Sequence, residues 1–219
     1  MAASRFIIVD DHPLFRGALS QVLSAAFKGA TFDEAGSLEE MAPLLEQSPE
    51  PDIIFLDLSM PGVQGLAGLM SLKAQHPSLP VIIVSATDDP STIRRCLEFG
   101  ASGYVPKSLP VENIRQAARV VIDGGVWAPD GLDKAVDTNS EDRQLASKLS
   151  TLTPQQLRVL GMLGEGLLNK QIAYKLNVSE ATVKAHVSAI LQKLGVDSRT
   201  QAVIAINKIG LGAWPKVET

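Results

Sequence analysis

The chain has 219 residues, of which 45% are apolar and 20% charged, and this composition excludes wholesale disorder. Its single cysteine, Cys96, excludes an internal disulfide, and its three histidines stand far apart with no cysteine pair, which argues against a zinc site. No apolar run reaches the length of a membrane span and no secretory leader fits the first residues, so we expect a cytoplasmic protein that does not enter a membrane.

The net charge of −4 is divided unevenly along the chain. Residues 1–128 carry −6, residues 129–150 carry −2, and residues 151–219 carry +4. An acidic first half and a basic last third favour different partners for the two ends. Nucleic-acid binding by the last third is therefore compatible with the acidic total.

The first 125 residues alternate between short, β-rich apolar runs and amphipathic helical stretches. The apolar runs are 6–9, 31–35, 53–56, 81–84 and 103–105, and the helical stretches are 13–27, 38–47, 64–75, 91–99 and 110–123. Because strands and helices alternate, the pattern predicts βαβ units in a doubly wound, five-stranded parallel sheet of the α/β class. Such sheets bind their ligands beyond the carboxyl ends of the strands.

Groups suited to phosphoryl chemistry stand at the ends of these predicted strands. They are Asp10, Asp11, Asp57, Ser85 and Lys107. Clustered carboxylates attract a hard cation such as Mg²⁺ or Mn²⁺, and a carboxylate beside that cation and a lysine can accept a phosphoryl group. Any one of these acids alone is better explained as a solvated turn cap, but five suitable groups at one edge of a sheet favour a site.

A second domain is predicted after a polar connection. Residues 128–149 hold turn formers and charges with little to bury, which predicts a linker between a first domain at 1–127 and a second at 150–219. Helical periodicity then resumes at 152 and continues to about 209 with short breaks that contain Gly or Asn. This pattern predicts a small all-α domain of four helices.

The third of these helices has two distinct faces. It is predicted to begin after Ser179, and its apolar stripe is Val183, Val187, Ile190, Leu191 and Leu194. The opposite face holds Lys184, Ala185, Ser188 and Gln192, which are polar or small, as a helix in a major groove requires. On pattern alone, a generic helical domain with a solvated face explains these residues equally well.

Residues 5–125 resemble the receiver domains of two-component response regulators, through the acidic pair at 10–11, the 55–62 segment around the third strand end, and the later serine and lysine. The resemblance implies that Asp57 is the phosphoacceptor and that a divalent ion is bound by Asp10, Asp11, Asp57 and the backbone carbonyl of Ser59. It also implies phosphoryl contacts from Ser85 and Lys107 and an aromatic switch at Tyr104 that rotates inward. One departure is that the usual Lys-Pro pair is Lys107-Ser108 here.

Residues 150–211 resemble LuxR-type helix-turn-helix domains, through the segments 166–173, 178–187 and 194–202. With a receiver in front, the chain resembles the NarL/FixJ subfamily. The resemblance implies that Lys184, Ala185 and Ser188 face bases, and that a further set touches phosphates or fixes the helix: Asn169, Lys170, Thr182, His186, Lys193 and Arg199. The last helix, 198–209, is implied to form a dimer contact.

Together the resemblances imply a response regulator transcription factor, with no enzymatic activity beyond slow hydrolysis of its own aspartyl phosphate. The implied partners are a histidine kinase, double-stranded promoter DNA, a second copy of the chain in an active homodimer, and RNA polymerase. One alternative is a DNA-binding regulator whose receiver is a dimerisation scaffold that works without phosphorylation. Another is a phosphatase of the haloacid dehalogenase type, which needs a second Asp where this chain has Ser59.

Overall fold

The computed structural model describes residues 4–60, 63–64, 66–132, 144–145, 147–149 and 151–208. Most of the predicted linker and the end of the last predicted helix lie outside these residues. Among the helices that the structure describes, none is both long and apolar enough to cross a bilayer.

The first domain is built on a parallel sheet of five strands, which are β1 (Arg5–Val9), β2 (Thr31–Ala35), β3 (Ile53–Leu56), β6 (Val81–Ser85) and β7 (Gly103–Pro106). Their order across the sheet is β2-β1-β3-β6-β7. This topology confirms the doubly wound sheet predicted from the sequence. All the residues of β1, β3, β6 and β7 are buried, because helices cover both faces of the sheet.

The helices of the first domain divide between the two faces of the sheet. Side chains from α1 (Pro13–Ala26) and α5 (Val111–Ile122) share one buried cluster. Side chains from α2 (Leu38–Leu45), α3 (Ala67–Gln75) and α4 (Pro90–Glu98) belong to a second cluster on the other face. All five helices lie where the sequence pattern predicts a helix, although α3 begins at Ala67 rather than at residue 64.

A short antiparallel pair follows the third strand and was not predicted. It consists of β4 (Ser59–Met60) and β5 (Val63–Gln64), with Ser59 opposite Gln64. Strands of two residues carry too few positions to show an alternation in the sequence. The pair lies between the end of β3 and the start of α3.

The second domain contains four helices, as the sequence predicts: α6 (Pro154–Gly164), α7 (Asn169–Leu176), α8 (Glu180–Leu194) and α9 (Arg199–Lys208). The Thr153 hydroxyl accepts a hydrogen bond from the Gln156 amide, and Ser179 caps α8 in the same way. Asn177, with φ of 52°, ends α7 in the left-handed region. The short α7–α8 turn therefore follows from residues suited to it.

The two domains meet at an apolar seam, which consists of α3 and Phe99 on one side and Leu149 and Leu157 on the other. Phe99 is 7% exposed, Leu149 1% and Leu157 5%. A cavity of about 70 Å³ lies between them and is also lined by Met70, Lys73 and Ala74. Leu149 is the last residue of the segment predicted as a linker, and it is packed rather than solvated, whereas Ser147 and Lys148 before it are exposed.

Candidate functional site

Three predicted site residues meet at the carboxyl edge of the sheet. Asp10 follows β1, Asp57 follows β3 and Lys107 follows β7, so parallel strands deliver them to the same end. The Lys107 Nζ atom lies 2.6 Å from Asp10 Oδ2 and 2.9 Å from Asp57 Oδ2. The two carboxylates are 3% and 1% exposed, so the ammonium donates to both of them in a largely buried setting.

Lys107 keeps its charge in this pocket. Burial disfavours the ammonium, but the hydrogen bonds and charges of Asp10 and Asp57 outweigh burial and raise the pKa of Lys107 above its ordinary value. The ammonium also lies 4.3 Å from the centre of the Phe15 ring. A permanent positive charge therefore lies beside both buried acids.

The predicted hydroxyl and aromatic residues are fully buried near this edge. Ser85 ends β6, and its Oγ accepts a hydrogen bond from the Thr87 amide at 3.3 Å. Tyr104 is 0% exposed, and its hydroxyl donates to the Thr87 carbonyl at 2.8 Å. Burial raises the pKa of Tyr104, which keeps the hydroxyl a donor. The ring points inward in this structure, and the rotation that the resemblance implies for it stays a prediction.

The pocket fits a hard divalent cation. Asp10, Asp11 and Asp57 offer carboxylate oxygens close to one another. The Oδ1 atom of Asp11 is buried and has no hydrogen-bond partner, a state that polar atoms in proteins rarely keep. The Ser59 amide donates to Asp57 Oδ1 at 3.1 Å, which places the segment that carries the predicted carbonyl ligand next to the acceptor.

Sequence reasoning missed two neighbours of the acidic pair. Arg16 donates to the Asp10 carbonyl at 2.6 Å and also contacts Glu34, which fixes the loop after β1. His12 brings its ring into the acidic cluster. Position was the available signal, because His12 directly follows the acidic pair and Arg16 lies five residues after Asp11.

The predicted DNA-reading face lies on α8 and is open to solvent. Lys184, Ala185 and Ser188 are exposed, and the Lys184 side chain keeps 66% of its surface accessible. Its Nζ atom pairs loosely with Glu180 Oε1 at 3.3 Å on the same helix. Within the described ranges, the first domain packs against α6 and leaves this face open.

The residues predicted to touch phosphates divide into two groups. Lys170 and Thr182 are exposed, and Asn169 and His186 are half-buried. The other two bond within the domain: Lys193 donates to Gln156 Oε1 at 2.9 Å and to a backbone carbonyl at 2.7 Å, and Arg199 donates to the Leu167 carbonyl at 2.6 Å. Their phosphate contacts stay a prediction.

The hydrogen bonds of Gln156 predict a measurable effect on stability. Gln156 is 8% exposed and accepts from both Lys193 Nζ and the Thr153 amide. We expect Gln156→Ala to lower the free energy of unfolding by about 1–2 kcal/mol, because it removes the largely buried oxygen that accepts from Lys193 Nζ and from the Thr153 backbone amide. Urea unfolding followed by circular dichroism measures this loss.

Gln171→Ala is the matched control for that experiment. Gln171 accepts from the Leu168 amide at 2.8 Å in the same capping arrangement, but on an exposed surface where water can replace it. We expect a clearly smaller loss. Equal losses in the two variants would show that burial of Gln156 is not what matters.

Two family profiles match the chain, one for each domain. Residues 6–119 match the response regulator receiver domain, and residues 150–206 match the bacterial regulatory proteins of the luxR family. Together the two matches cover most of the chain and leave the segment between the domains unmatched.

Curated relatives match over nearly the whole chain. A glycerol metabolism activator of Pseudomonas putida is 38% identical over 216 residues, which cover 96% of this chain and 98% of that protein. The nitrate/nitrite response regulator protein NarL of Escherichia coli K12 is 30% identical over 92% of this chain and 94% of its own length.

Solved structures share the fold. RcsB of Salmonella enterica serovar Typhimurium, bound to the promoter P1flhDC in the presence of the phosphomimetic BeF3−, is similar with a TM-score of 0.56 and 22% identity over 94% of this chain and 99% of that chain. A LuxR family DNA-binding response regulator from Silicibacter pomeroyi has a TM-score of 0.51 and 29% identity over 59% of this chain and 98% of that one.

Proposed function

The chain belongs to the response regulators that join a receiver domain to a LuxR-type DNA-binding domain, and from this membership we propose that phosphorylation of Asp57 controls its binding to promoter DNA. The observation that carries the proposal is the shared contact of Lys107 with the buried carboxylates of Asp10 and Asp57. A histidine kinase is the proposed physiological donor of the phosphoryl group.

The transfer requires Asp57 to act as a nucleophile. One carboxylate oxygen forms a bond to phosphorus while the bond from phosphorus to the donor nitrogen of a phosphohistidine breaks, and the imidazole leaves. Lys107 is positioned to offset the negative charge that spreads over the phosphoryl oxygens. A divalent ion held by Asp10, Asp11, Asp57 and the Ser59 carbonyl would supply further positive charge to those oxygens.

The residues around the aspartyl phosphate would change their contacts in response to it. The new oxygens compete for the Ser85 hydroxyl and the Lys107 ammonium, which now bond to Thr87 and to the two acids. Because the Tyr104 hydroxyl holds the Thr87 carbonyl, a shift of Thr87 also moves the contact with Tyr104 and the neighbouring α4. We propose that this local change shifts the population between two arrangements of the surface formed by α4, β7 and α5.

The proposed result of phosphorylation is that the chain, as a homodimer, binds DNA through its second domain. Support comes from the exposed face of α8 and from the net charge of +4 over residues 151–219. Structural neighbours described as two RcsB dimers bound to two parallel DNAs share the fold of this chain. The predicted contact with RNA polymerase would follow from DNA binding at promoters.

The direct test uses the full chain and a small phosphodonor such as acetyl phosphate, with Mg²⁺ or with EDTA. We expect an acid-stable, base-labile phosphoryl group on a peptide that contains Asp57, formed only when Mg²⁺ is present, and tighter binding to DNA selected from a random library. A chain that incorporates phosphate equally well in EDTA, or on another residue, would overturn the proposal.

A second function is favoured by one observation. The DNA-reading face of α8 is exposed while the two domains are packed at the seam, so DNA can reach it without separation of the domains, which supports the alternative of a receiver that is a scaffold. The same experiment separates the two functions. The scaffold predicts DNA affinity that does not change when Asp57 is phosphorylated.

A further inference from the structure

His12 directs a ring nitrogen into the acidic pocket. The Nδ1 atom lies 2.8 Å from Asp11 Oδ1 and 3.2 Å from Asp10 Oδ1. One ligand atom from each of Asp10, Asp11, His12 and Asp57 can be chosen so that all lie within 4.8 Å of one another. Phosphoryl transfer as proposed above makes no use of this ring.

The His12 ring is held at the edge of the pocket by one side-chain hydrogen bond, between Nδ1 and Asp10 Oδ1 at 3.2 Å. His12 is the N-cap residue of α1, a position where side chains commonly accept a backbone hydrogen bond, yet its side chain makes none. The His12 Nδ1 atom also lies 2.8 Å from Asp11 Oδ1, but the two atoms do not form a hydrogen bond, and this buried oxygen has no other hydrogen-bond partner. Two polar atoms thus face each other closely without a hydrogen bond between them.

The spacing of these atoms suits two ligands of one metal ion. In an octahedral site with bonds of about 2.1 Å, adjacent ligand atoms lie about 3.0 Å apart and opposite ones about 4.2 Å. The distances of 2.8 and 3.2 Å from His12 Nδ1 to the two carboxylate oxygens fall on either side of the value for adjacent ligands. All four ligand atoms lie within 4.8 Å of one another, so only a small contraction would bring the most distant pair to the value for opposite ligands. Lys107 contacts the Oδ2 atoms of Asp10 and Asp57, whereas their Oδ1 atoms accept one hydrogen bond each from the backbone amides of His12 and Ser59.

We propose that His12 supplies a nitrogen ligand to the divalent cation of this site, and that it shifts the preference of the site from Mg²⁺ toward transition-metal ions such as Mn²⁺ and Co²⁺. Mg²⁺ favours oxygen donors, whereas imidazole is a good ligand for transition-metal ions, so one nitrogen among carboxylates changes their relative affinities. The inference rests on the proposed function only in placing a cation in this pocket.

The test uses the full chain, stripped of metal by EDTA and loaded with Mn²⁺. Electron spin echo modulation of bound Mn²⁺ detects a directly coordinated imidazole nitrogen. We expect this nitrogen signal in the wild type and in His76→Asn, because His76 lies at the far end of α3. In His12→Asn the signal is expected to disappear while Mn²⁺ still binds.

Calorimetric titration gives the second measurement. We expect His12→Asn to weaken Co²⁺ binding about tenfold, and Mg²⁺ binding less than about threefold. A wild-type spectrum without nitrogen modulation, or one unchanged in His12→Asn, would overturn the inference, as would equal losses for Co²⁺ and Mg²⁺. Phosphorylation of Asp57 with Mg²⁺ is measured separately, so its failure would count against the proposed function and not against the ligand role of His12.

Discussion

Asp57→Asn is expected to abolish phosphorylation of the chain by a small phosphodonor and, with it, the whole gain in DNA affinity. The amide keeps nearly the size of the carboxylate but is too weak a nucleophile to take up a phosphoryl group. Lys107 retains Asp10 as a partner in this variant, so we expect the fold to persist. Phosphate-affinity electrophoresis and fluorescence anisotropy with labelled DNA measure the two effects.

Asp123→Asn is the control for this variant. It removes the same charge from the exposed C-cap of α5, far from the carboxyl edge of the sheet. We expect wild-type phosphorylation and wild-type DNA affinity. Phosphoryl incorporation in Asp57→Asn at the wild-type level would mean that the acceptor is another residue.

Lys184→Ala is expected to weaken binding to a selected DNA site by about 1–3 kcal/mol, which is roughly a tenfold to hundredfold loss of affinity. Lys184 is the only lysine or arginine among the residues predicted to face bases, and its side chain is two-thirds exposed on α8. Removing a base contact costs more on the selected site than on a scrambled sequence. Anisotropy titrations on both sequences at one salt concentration measure the difference.

Glu180→Gln separates the contact from a general change of charge. It removes the ion-pair partner of Lys184, 3.3 Å away, and leaves the lysine in place. We expect DNA affinity equal to or slightly above that of the wild type, since a negative charge near the phosphates is lost. If Lys184→Ala loses the same amount on both sequences, Lys184 touches the DNA backbone and does not read bases.

The sheet and the meeting of the acids with Lys107 could be predicted because both depend on local pattern. Strands buried on both faces are apolar throughout, and parallel strands bring their carboxyl ends to one edge, so residues at 10, 57 and 107 had to be close. The starts of helices α6 and α8 in the second domain could also be predicted from the sequence. Thr153 and Ser179 are caps by local chemistry alone.

The features that escaped prediction depend on contacts between distant segments. The seam pairs apolar residues of α3 with Leu149, which is isolated among polar neighbours and gives no periodic signal. The hydrogen bond from Lys193 to Gln156 joins positions 37 residues apart. The inward position of Tyr104 is a choice of rotamer, and a tyrosine on a strand permits either orientation before its neighbours are known.

The apolar seam has a thermodynamic consequence. When either domain unfolds, the other loses a buried apolar surface, so the melting of each domain includes a contribution from its neighbour. Whatever stabilises the receiver, such as a bound cation or an aspartyl phosphate that leaves the seam intact, therefore also raises the melting temperature of the helices that hold the DNA-reading face.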